Sequence, residues 1–386
     1  MKTAVINADI VCSDRIVENG VCVYENGVIT YVGRDVQNAE RIIDAKGGIL
    51  VPGFVDIHCH CGIGKSFMGG STDDFKVISE FHLSHGTTTL VATTCTSDDE
   101  ETQSMLEKCR EYMESADDTT VAGVFMEGPW LNPTQCGAQA VSCMKKPSAD
   151  EIRTLKAKYP HILRVGAAPE LEGGIEFGRV CSELGIVASI AHTDAVFTEI
   201  EDAVNNGYTV MTHIYSGMKG TERVNAYRVA GAVEAGLYLD GLYVEVIADG
   251  KHLPHELLKL IYKCKGADRI CLVTDASRGA GLPDGSVTTG ISRADKDPII
   301  IEDGVAKMPD RKSFAGSTAT ADRLYRTMAS AIGCDLVSLS KMASLTPSRA
   351  MGFTDRGEIA KGKRADLLIL DRGLGIKKII FGGNEI

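Results

Sequence analysis

The chain has 386 residues and a formal net charge of −11 at pH 7, and no basic stripe suited to a nucleic-acid backbone is visible. Its hydrophobic content of 44% and charged content of 24% are typical of a globular protein with a large core. No apolar run approaches the roughly 18 residues that a membrane span requires, and no secretory leader pattern opens the sequence. The twelve cysteines are scattered without a Cys-x-x-Cys pair, which favours free thiols in a reducing compartment. We therefore expect a cytoplasmic protein that binds neither nucleic acid nor membrane.

Both ends of the chain show short β-type patterns. Asn-Gly pairs at 19–20 and 26–27 predict hairpin turns within the first 51 residues. Near the other end, the segments 357–359, 365–370 and 378–381 return to the β pattern. We expect these two parts, residues 1–51 and 355–386, to pair in one small β-sandwich domain.

The region 52–354 shows a different pattern, in which eight short apolar runs alternate with longer helical stretches. This alternation predicts an α/β fold, a (β/α)₈ TIM-like barrel inserted between the two halves of the small domain. A segment rich in Gly, Pro and Asp, at about 281–307, follows the eighth run and is predicted to be an insertion or lid. The eight runs are 53–60, 87–93, 121–127, 162–168, 186–192, 208–213, 242–248 and 270–275.

Residues of the metal-ligand type gather at the ends of these runs. His58 and His60 close the first run, and side chains two apart on a strand point to the same face. An isolated His-x-His is as readily explained by a buried strand, so the other positions carry the prediction. These are Glu127, His192, His213 and Asp275, each at or just past the end of a run. Because the carboxyl ends of barrel strands meet at one face, we expect these side chains to converge.

This mixture of imidazole and carboxylate groups suits zinc, iron or another divalent transition metal. Such an ion lowers the pKa of a bound water and polarises a carbonyl group. Asp275 is then placed to take the proton of the water and to pass it to a leaving amine. The pattern predicts metal-assisted hydrolysis of an amide-like bond.

Eight motifs, taken in their order, resemble the amidohydrolase superfamily and, within it, the N-acetylglucosamine-6-phosphate deacetylase family, over nearly the whole chain. Any one of them alone is weak. They are Pro-Gly-Phe-Val-Asp-Ile-His-Cys-His at 52–60, Met-Glu-Gly-Pro-Trp-Leu-Asn-Pro at 126–133, Ala-Pro-Glu at 168–170, Ala-His-Thr at 191–193, Thr-His-Ile-Tyr at 212–215, Ile-Ala-Asp-Gly-Lys-His at 247–252, Leu-Val-Thr-Asp-Ala at 272–276 and Ala-Gly-Ser at 315–317.

The resemblance implies a role for each residue at the run ends. Glu127, His192 and His213 would hold the main metal ion, the His-x-His pair would belong to members that hold a second ion, and Asp275 would be the general base and acid. It further implies a homodimer, in which phosphate-binding groups come partly from the neighbouring subunit.

Two departures from the family pattern concern the acyl group and its surroundings. Gln139 stands where the family has a His that contacts the acyl oxygen. A neutral amide can donate a hydrogen bond there but carries no charge. Ser216 and Gly217 replace the usual Asn-Ala after the sixth run.

A third departure concerns the phosphate. Asn225 aligns with the phosphate-binding Arg of the family, while Arg223 and Arg228 lie close by and His252 follows the seventh run. We expect one of these arginines, beside His252, to contact a 6-phosphate, because a guanidinium forms strong charge-assisted hydrogen bonds to phosphate.

We therefore expect a metal-dependent hydrolase that converts N-acetylglucosamine 6-phosphate to glucosamine 6-phosphate and acetate. A different N-acyl amino sugar, for example N-acetylgalactosamine 6-phosphate, or an N-acyl amino acid is the alternative substrate. The alternative that is not an enzyme is an inactive scaffold. The presence of every expected metal ligand argues against it.

Overall fold

The structure is a computed structural model that describes residues 1–35, 37–115, 118–294 and 297–386. Eight parallel strands form its central barrel, and each pairs with the next along the chain. The first and last strands are joined by hydrogen bonds from the Asp275 N–H to the His58 carbonyl (2.9 Å) and from the His60 N–H to the Ala276 carbonyl (3.3 Å). The strands are β1 (Phe54–Cys59), β2 (Thr87–Thr93), β3 (Val121–Glu127), β4 (Ile162–Ala167), β5 (Val187–Ile190), β6 (Tyr208–Met211), β7 (Tyr243–Val246) and β8 (Ile270–Leu272).

A helix follows each barrel strand and covers its outer face. The sequence sets the ends and faces of these helices locally. Ser71 and Asp74 form a capping box at the start of the first helix, which satisfies amide groups that have no partner within the helix. The eighth buries Leu324 and Met328 on one face, as the spacing of an amphipathic helix requires. The helices are α1 (Thr72–Ser84), α2 (Asp99–Ser115), α3 (Ala149–Lys158), α4 (Gly174–Glu183), α5 (Phe197–Asn205), α6 (Ala232–Tyr238), α7 (His255–Lys265) and α8 (Ala321–Ile332). The chain then continues through a short α-helix at Leu336–Ser340, a π-helical turn at Lys341–Leu345 and another short α-helix at Thr346–Ala350.

Strands from both chain ends build a second sheet, so the predicted fold class is confirmed. Ile49–Pro52 from the first part pairs with Leu367–Leu370 from the last part in antiparallel register. The sheet encloses its own core, which includes Ile10, Leu50 and Ile380. Its remaining strands are Lys2–Val11, Ile16–Glu25, Val28–Gly33, Arg41–Asp44, Ile376–Phe381 and Asn384–Glu385. The domain boundaries at 51/52 and 354/355 stay a prediction.

In the part of the chain that the structure describes, three small β elements interrupt the barrel. The segment after β8 contains a three-stranded sheet of Val287–Thr288, Ile299–Glu302 and Val305–Lys307, which agrees with the predicted insertion. A hairpin of Glu222–Val224 and Tyr227–Val229 follows β6, and Cys61–Gly62 pairs with Lys65–Ser66 after β1.

Two local predictions are wrong. Asn19-Gly20 forms no hairpin turn, because both residues lie within the continuous strand Ile16–Glu25. The other wrong prediction is a strand. Residues 357–359 form no strand. Gly357 has a φ of +87°, a left-handed conformation that an extended strand does not accommodate.

Among the residues that the structure describes, no helix combines the length and apolar character needed to cross a bilayer.

Candidate metal and catalytic site

The residues at the strand ends converge at one mouth of the barrel. His58 belongs to β1 and Glu127 ends β3, while the others lie just beyond their strands. His192, His213 and Asp275 have positive φ values of 44°, 25° and 45°. This left-handed turn is uncommon for residues other than glycine, and it occurs here at three strand ends that meet at one site.

Glu127 lies at the centre of the cluster. Its Oε1 is 2.9 Å from His213 Nε2 and 3.3 Å from His192 Nε2. Its Oε2 is 3.3 Å from His60 Nε2 and 3.7 Å from His58 Nε2. Each oxygen of this carboxylate thus faces a different pair of imidazoles.

Asp275 completes the cluster on the side of the His-x-His pair. Its Oδ1 lies 3.2 Å from His60 Nε2 and 3.4 Å from His58 Nε2. The Nε2 atoms of His58 and His60 are themselves 3.1 Å apart. At least one of these two nitrogens must therefore present a lone pair without a proton.

The donor set fits a divalent transition metal. Among the described residues of this cluster, two groups of three each place one ligand atom per residue within 4.8 Å of the others: His58, His60 and Glu127, and Glu127, His192 and His213. Imidazole nitrogens combined with a carboxylate are typical ligands of zinc and iron. His192 Nδ1 is turned away and lies 2.7 Å from the Gln135 carbonyl oxygen, which leaves Nε2 directed at Glu127. The shared position of Glu127 makes both a single-ion and a two-ion arrangement chemically sensible.

The electrostatics agree with a site for a cation. Burial alone would raise the pKa of Glu127, but the surrounding histidines outweigh it and hold this pKa well below its usual range. Burial alone would also raise the pKa of Asp275, but His58 and His60 outweigh this effect and lower the pKa. For His58, burial disfavours the charged ring, yet the neighbouring carboxylates raise its pKa well above the ordinary value. The site therefore keeps two buried carboxylates ionised at neutral pH.

A cavity of about 220 Å³ opens above these groups. It is lined by His60, Glu127, His192, His213 and Asp275, by Gln139, Ser216, Gly217 and His252, and by the less polar Cys95, Ile291, Ile299 and Phe314. Of the described residues that line it, none is a lysine or an arginine. The cavity thus offers carboxylate, imidazole and neutral groups to a ligand, but no lysine or arginine charge.

Gln139 is held in a fixed orientation at this cavity. The Thr96 N–H donates to its Oε1 at 2.7 Å, and the Cys95 thiol donates to the same oxygen at 3.1 Å. Its Nε2 then donates to Glu127 Oε2 at 2.7 Å. Because the backbone N–H fixes which end is the oxygen, the amide NH₂ group faces the metal cluster and the cavity.

A sequence model described as the amidohydrolase family matches residues 49–386. The chain belongs to the amidohydrolase family. This agrees with the predicted family and with the predicted hydrolase. The match covers the whole barrel and the C-terminal strands of the small sheet.

Named relatives of this amidohydrolase are sugar phosphate deacetylases. It is 29% identical over 343 residues to an N-acetylglucosamine-6-phosphate deacetylase of Lysinibacillus sphaericus, covering 88% of this chain and 86% of the relative. It is also 29% identical over 345 residues to an N-acetylgalactosamine-6-phosphate deacetylase of Escherichia coli O157:H7, covering 89% of both. The solved structure of the N-acetylglucosamine-6-phosphate deacetylase of Thermotoga maritima has a TM-score of 0.88 and 32% identity, with 99% of each chain covered.

The structure brings some of the predicted substrate residues of this amidohydrolase to the cavity. Gln139, Ser216, Gly217 and His252 all line it. His252 Nδ1 is 2.8 Å from Asp249 Oδ2, so the ring is oriented by a buried carboxylate.

Gly217 has a steric reason to be glycine. Its φ is +57°, and an added Cβ would lie 2.6 Å from His192 Nδ1. The residue therefore lets the backbone pass close to a metal-ligand candidate.

The other three predicted substrate residues, Arg223, Asn225 and Arg228, do not line this cavity within one chain. They lie on the exposed hairpin after β6, where Arg223 and Arg228 are opposite each other in the register of the two strands. Asn225 occupies the turn, with a φ of 47°, a conformation that Asn tolerates well in hairpins. Their predicted contact with the substrate stays a prediction.

Sequence reasoning missed a buried ion pair beneath the cluster. Arg164 on β4 and Glu245 on β7 are both fully buried. Each is a charged residue inside an otherwise apolar strand, and such a residue requires a partner of opposite charge. The sequence therefore indicated that each of these residues has a partner of opposite charge, but it did not indicate which residue that partner is.

Proposed function

We propose that the protein is a metal-dependent deacetylase of an N-acetyl amino sugar 6-phosphate, with N-acetylglucosamine 6-phosphate as the first candidate. The products would be the free amino sugar phosphate and acetate. One observation carries the proposal: Asp275 lies within 3.4 Å of the His-x-His imidazoles, on a cavity that also holds the Glu127 cluster. The names and coverage of the relatives supply the substrate class.

In this proposal Glu127, His192 and His213 hold the main ion, and His58 and His60 belong to a second position. Zinc and iron both suit this donor set, and one or two ions per chain are compatible with it. When bound, the metal supplies Lewis-acid polarisation of the acyl carbonyl and acidifies water. The protein itself contributes the orientation of the substrate and the handling of protons.

Asp275 is proposed to be the general base and acid. Its carboxylate is ionised at neutral pH because the neighbouring imidazoles outweigh the effect of burial on its pKa. It can therefore accept a proton from the attacking water and deliver it to the nitrogen of the leaving amine. Hydrolysis of the acetamide bond needs both transfers, and one carboxylate can perform them in succession.

Gln139 is proposed to donate a hydrogen bond to the acyl oxygen. Thr96 fixes the amide so that its NH₂ group faces the cavity. One N–H bonds to Glu127, which leaves the second N–H for a ligand. Donors placed where charge develops on the acyl oxygen lower the barrier of acyl transfer. A neutral amide supplies less of this stabilisation than a charged histidine.

In a homodimer, the hairpin after β6 is proposed to bind the phosphate of a substrate that lies in the cavity of the neighbouring subunit. Arg223 and Arg228 face each other across the hairpin, and like charges directly opposite each other are unfavourable without a counterion. A dianionic phosphate removes this repulsion and accepts hydrogen bonds from both guanidinium groups. The absence of lysine and arginine among the described cavity residues makes an additional source of positive charge necessary for phosphate recognition.

A cytoplasmic location is also part of the proposal. It is supported by the cysteines, all of which are free among the described residues, as expected for a reducing compartment.

The test is a panel of N-acetylglucosamine, N-acetylgalactosamine and N-acetylmannosamine, each with and without a 6-phosphate, together with N-acetyl amino acids. Each compound is given to the purified zinc-loaded protein. We expect acetate release from a 6-phosphorylated sugar at a kcat/KM at least about tenfold higher than from the same sugar without phosphate. Preference for the galacto epimer would select the alternative substrate that the Escherichia coli relative represents. Equal turnover with and without phosphate, or turnover of N-acyl amino acids alone, would refute the proposal.

A further inference from the structure

The buried ion pair formed by Arg164 and Glu245 lies inside the barrel, directly beneath the metal cluster. The guanidinium of Arg164 contacts Glu245 Oε1 and Ser189 Oγ. It also donates to Thr212 Oγ1 at 3.0 Å. The guanidinium carbon lies 3.9 Å from the centroid of the Phe125 ring. Arg164 thus has partners from several strands and is fixed in position.

The other oxygen of Glu245 contacts the site itself. His58 Nδ1 lies 2.9 Å from Glu245 Oε2, and the backbone N–H of His213 donates to the same oxygen at 3.1 Å. An ionised carboxylate only accepts hydrogen bonds, so His58 carries its proton on Nδ1. Nε2, which faces His60 and Glu127, is then the nitrogen that His58 would offer to a metal ion, and it would lose its proton when the metal binds.

Donors hold both carboxylate oxygens of Glu245. The Arg164 guanidinium pairs with Oε1, and the His213 N–H donates to Oε2, so the carboxylate is charged beside the guanidinium. A buried ion pair of this kind adds little net stability compared with apolar residues of similar volume. Its contacts with two metal-ligand candidates give it a role that apolar residues could not fill.

We propose that Glu245, held and neutralised by Arg164, is a positioning residue that fixes the tautomer of His58 and the main chain at His213. Carboxylates that accept from the second nitrogen of a ligating histidine raise its basicity, and their loss typically lowers metal affinity about 10- to 100-fold. The proposal rests on the proposed metal site, and it does not depend on which sugar is the substrate.

The main test is the double variant Arg164→Met/Glu245→Leu, which removes both charges and preserves an apolar core. Protein stripped with a chelator is titrated with zinc against a chromophoric competitor, and its melting temperature is recorded in parallel. We expect a folded variant whose affinity for the ion at His58 and His60 is about 10- to 100-fold lower, with a lower kcat and a nearly unchanged KM. The matched control is Arg364→Met/Asp366→Leu, which removes an ion pair of 2.8 Å beside the small sheet and should leave metal affinity unchanged.

Wild-type affinity and wild-type kcat in the folded double variant would overturn the proposal. A measurement on the unmutated protein covers the case in which the variant does not fold. Nitrogen-15 NMR of the zinc-loaded protein should show a hydrogen-bonded Nδ1–H on His58. Protonation of Nε2 in its place would also overturn the proposal. If the wild-type protein binds no zinc at all, the proposed metal site fails, which is a different outcome from a failure of Glu245 as the positioning residue.

Discussion

Replacement of Asp275 by asparagine should lower the catalytic rate without affecting the folding of the protein. The backbone contacts of this residue, from its N–H to the His58 carbonyl (2.9 Å) and from the Ser317 N–H to its own carbonyl (2.7 Å), do not involve the side chain. Its φ of +45° is a conformation that asparagine adopts as readily as aspartate. We therefore expect Asp275→Asn to fold with an almost unchanged melting temperature.

The effect on rate should be large. The amide introduced by Asp275→Asn keeps the shape of the side chain but removes the proton acceptor beside His58 and His60. General acid–base catalysis contributes typically about 10²- to 10⁴-fold, which corresponds to about 3 to 5 kcal/mol in activation free energy. Because Asp275 accepts and then donates a proton in the proposed reaction, the loss should lie at or above the upper part of this range.

The assay measures acetate release from N-acetylglucosamine 6-phosphate by the metal-loaded variant, together with metal content and melting temperature. The expected result is retained metal, retained fold and a kcat reduced about 10³-fold or more. A turnover close to the wild-type value would refute the role of Asp275 and direct attention to Glu127. A variant that loses both metal and activity would instead assign Asp275 to metal binding.

Three further predictions concern the metal, the phosphate and a buried lysine. His213→Ala should lower bound zinc by at least one ion per chain and abolish hydrolysis, and elemental analysis showing full metal content would contradict the proposed ligand set. Arg223→Ala or Arg228→Ala should raise KM for the phosphorylated sugar about tenfold or more and leave the unphosphorylated sugar nearly unaffected, as steady-state kinetics would show. Burial lowers the pKa of Lys265 from 10.5 to about 8, so the unfolded chain binds more protons between these values and stability should rise with pH there. In urea unfolding across this pH interval, Lys265→Met should lose this gain relative to wild type, whereas the exposed Lys263→Met should keep it.

The sequence was sufficient to predict the barrel because its eight strands are local apolar runs, each followed by a helix. The convergence of His58, Glu127 and Asp275 was predictable for a related reason, since the direction of barrel strands places their carboxyl ends together. Local patterns and a general rule of topology were therefore enough for the centre of the site.

Features that depend on contacts between distant residues were not predictable. Arg164 and Glu245 are 81 residues apart, and no local pattern couples them. The hairpin after β6 was missed because each of its strands has only three residues, which is too short for the alternation that marks a half-buried strand. The strand predicted at 357–359 is wrong because Gly357 is in a left-handed conformation (φ +87°). It packs there against Ser348, where an added Cβ would lie 2.3 Å from the serine oxygen.

The sheet that joins both chain ends has a consequence for how the protein is synthesised. Ile49–Pro52 pairs on one side with Lys2–Val11 and on the other with Leu367–Leu370. While a ribosome makes the barrel, Ile49–Pro52 is an apolar edge whose second partner has not yet been translated. Open edges of this kind invite pairing between nascent chains. A transcript cut short before the final strands would therefore yield a barrel that retains its metal-site residues. Its strand Ile49–Pro52 would keep one unpaired apolar edge that can pair with other chains.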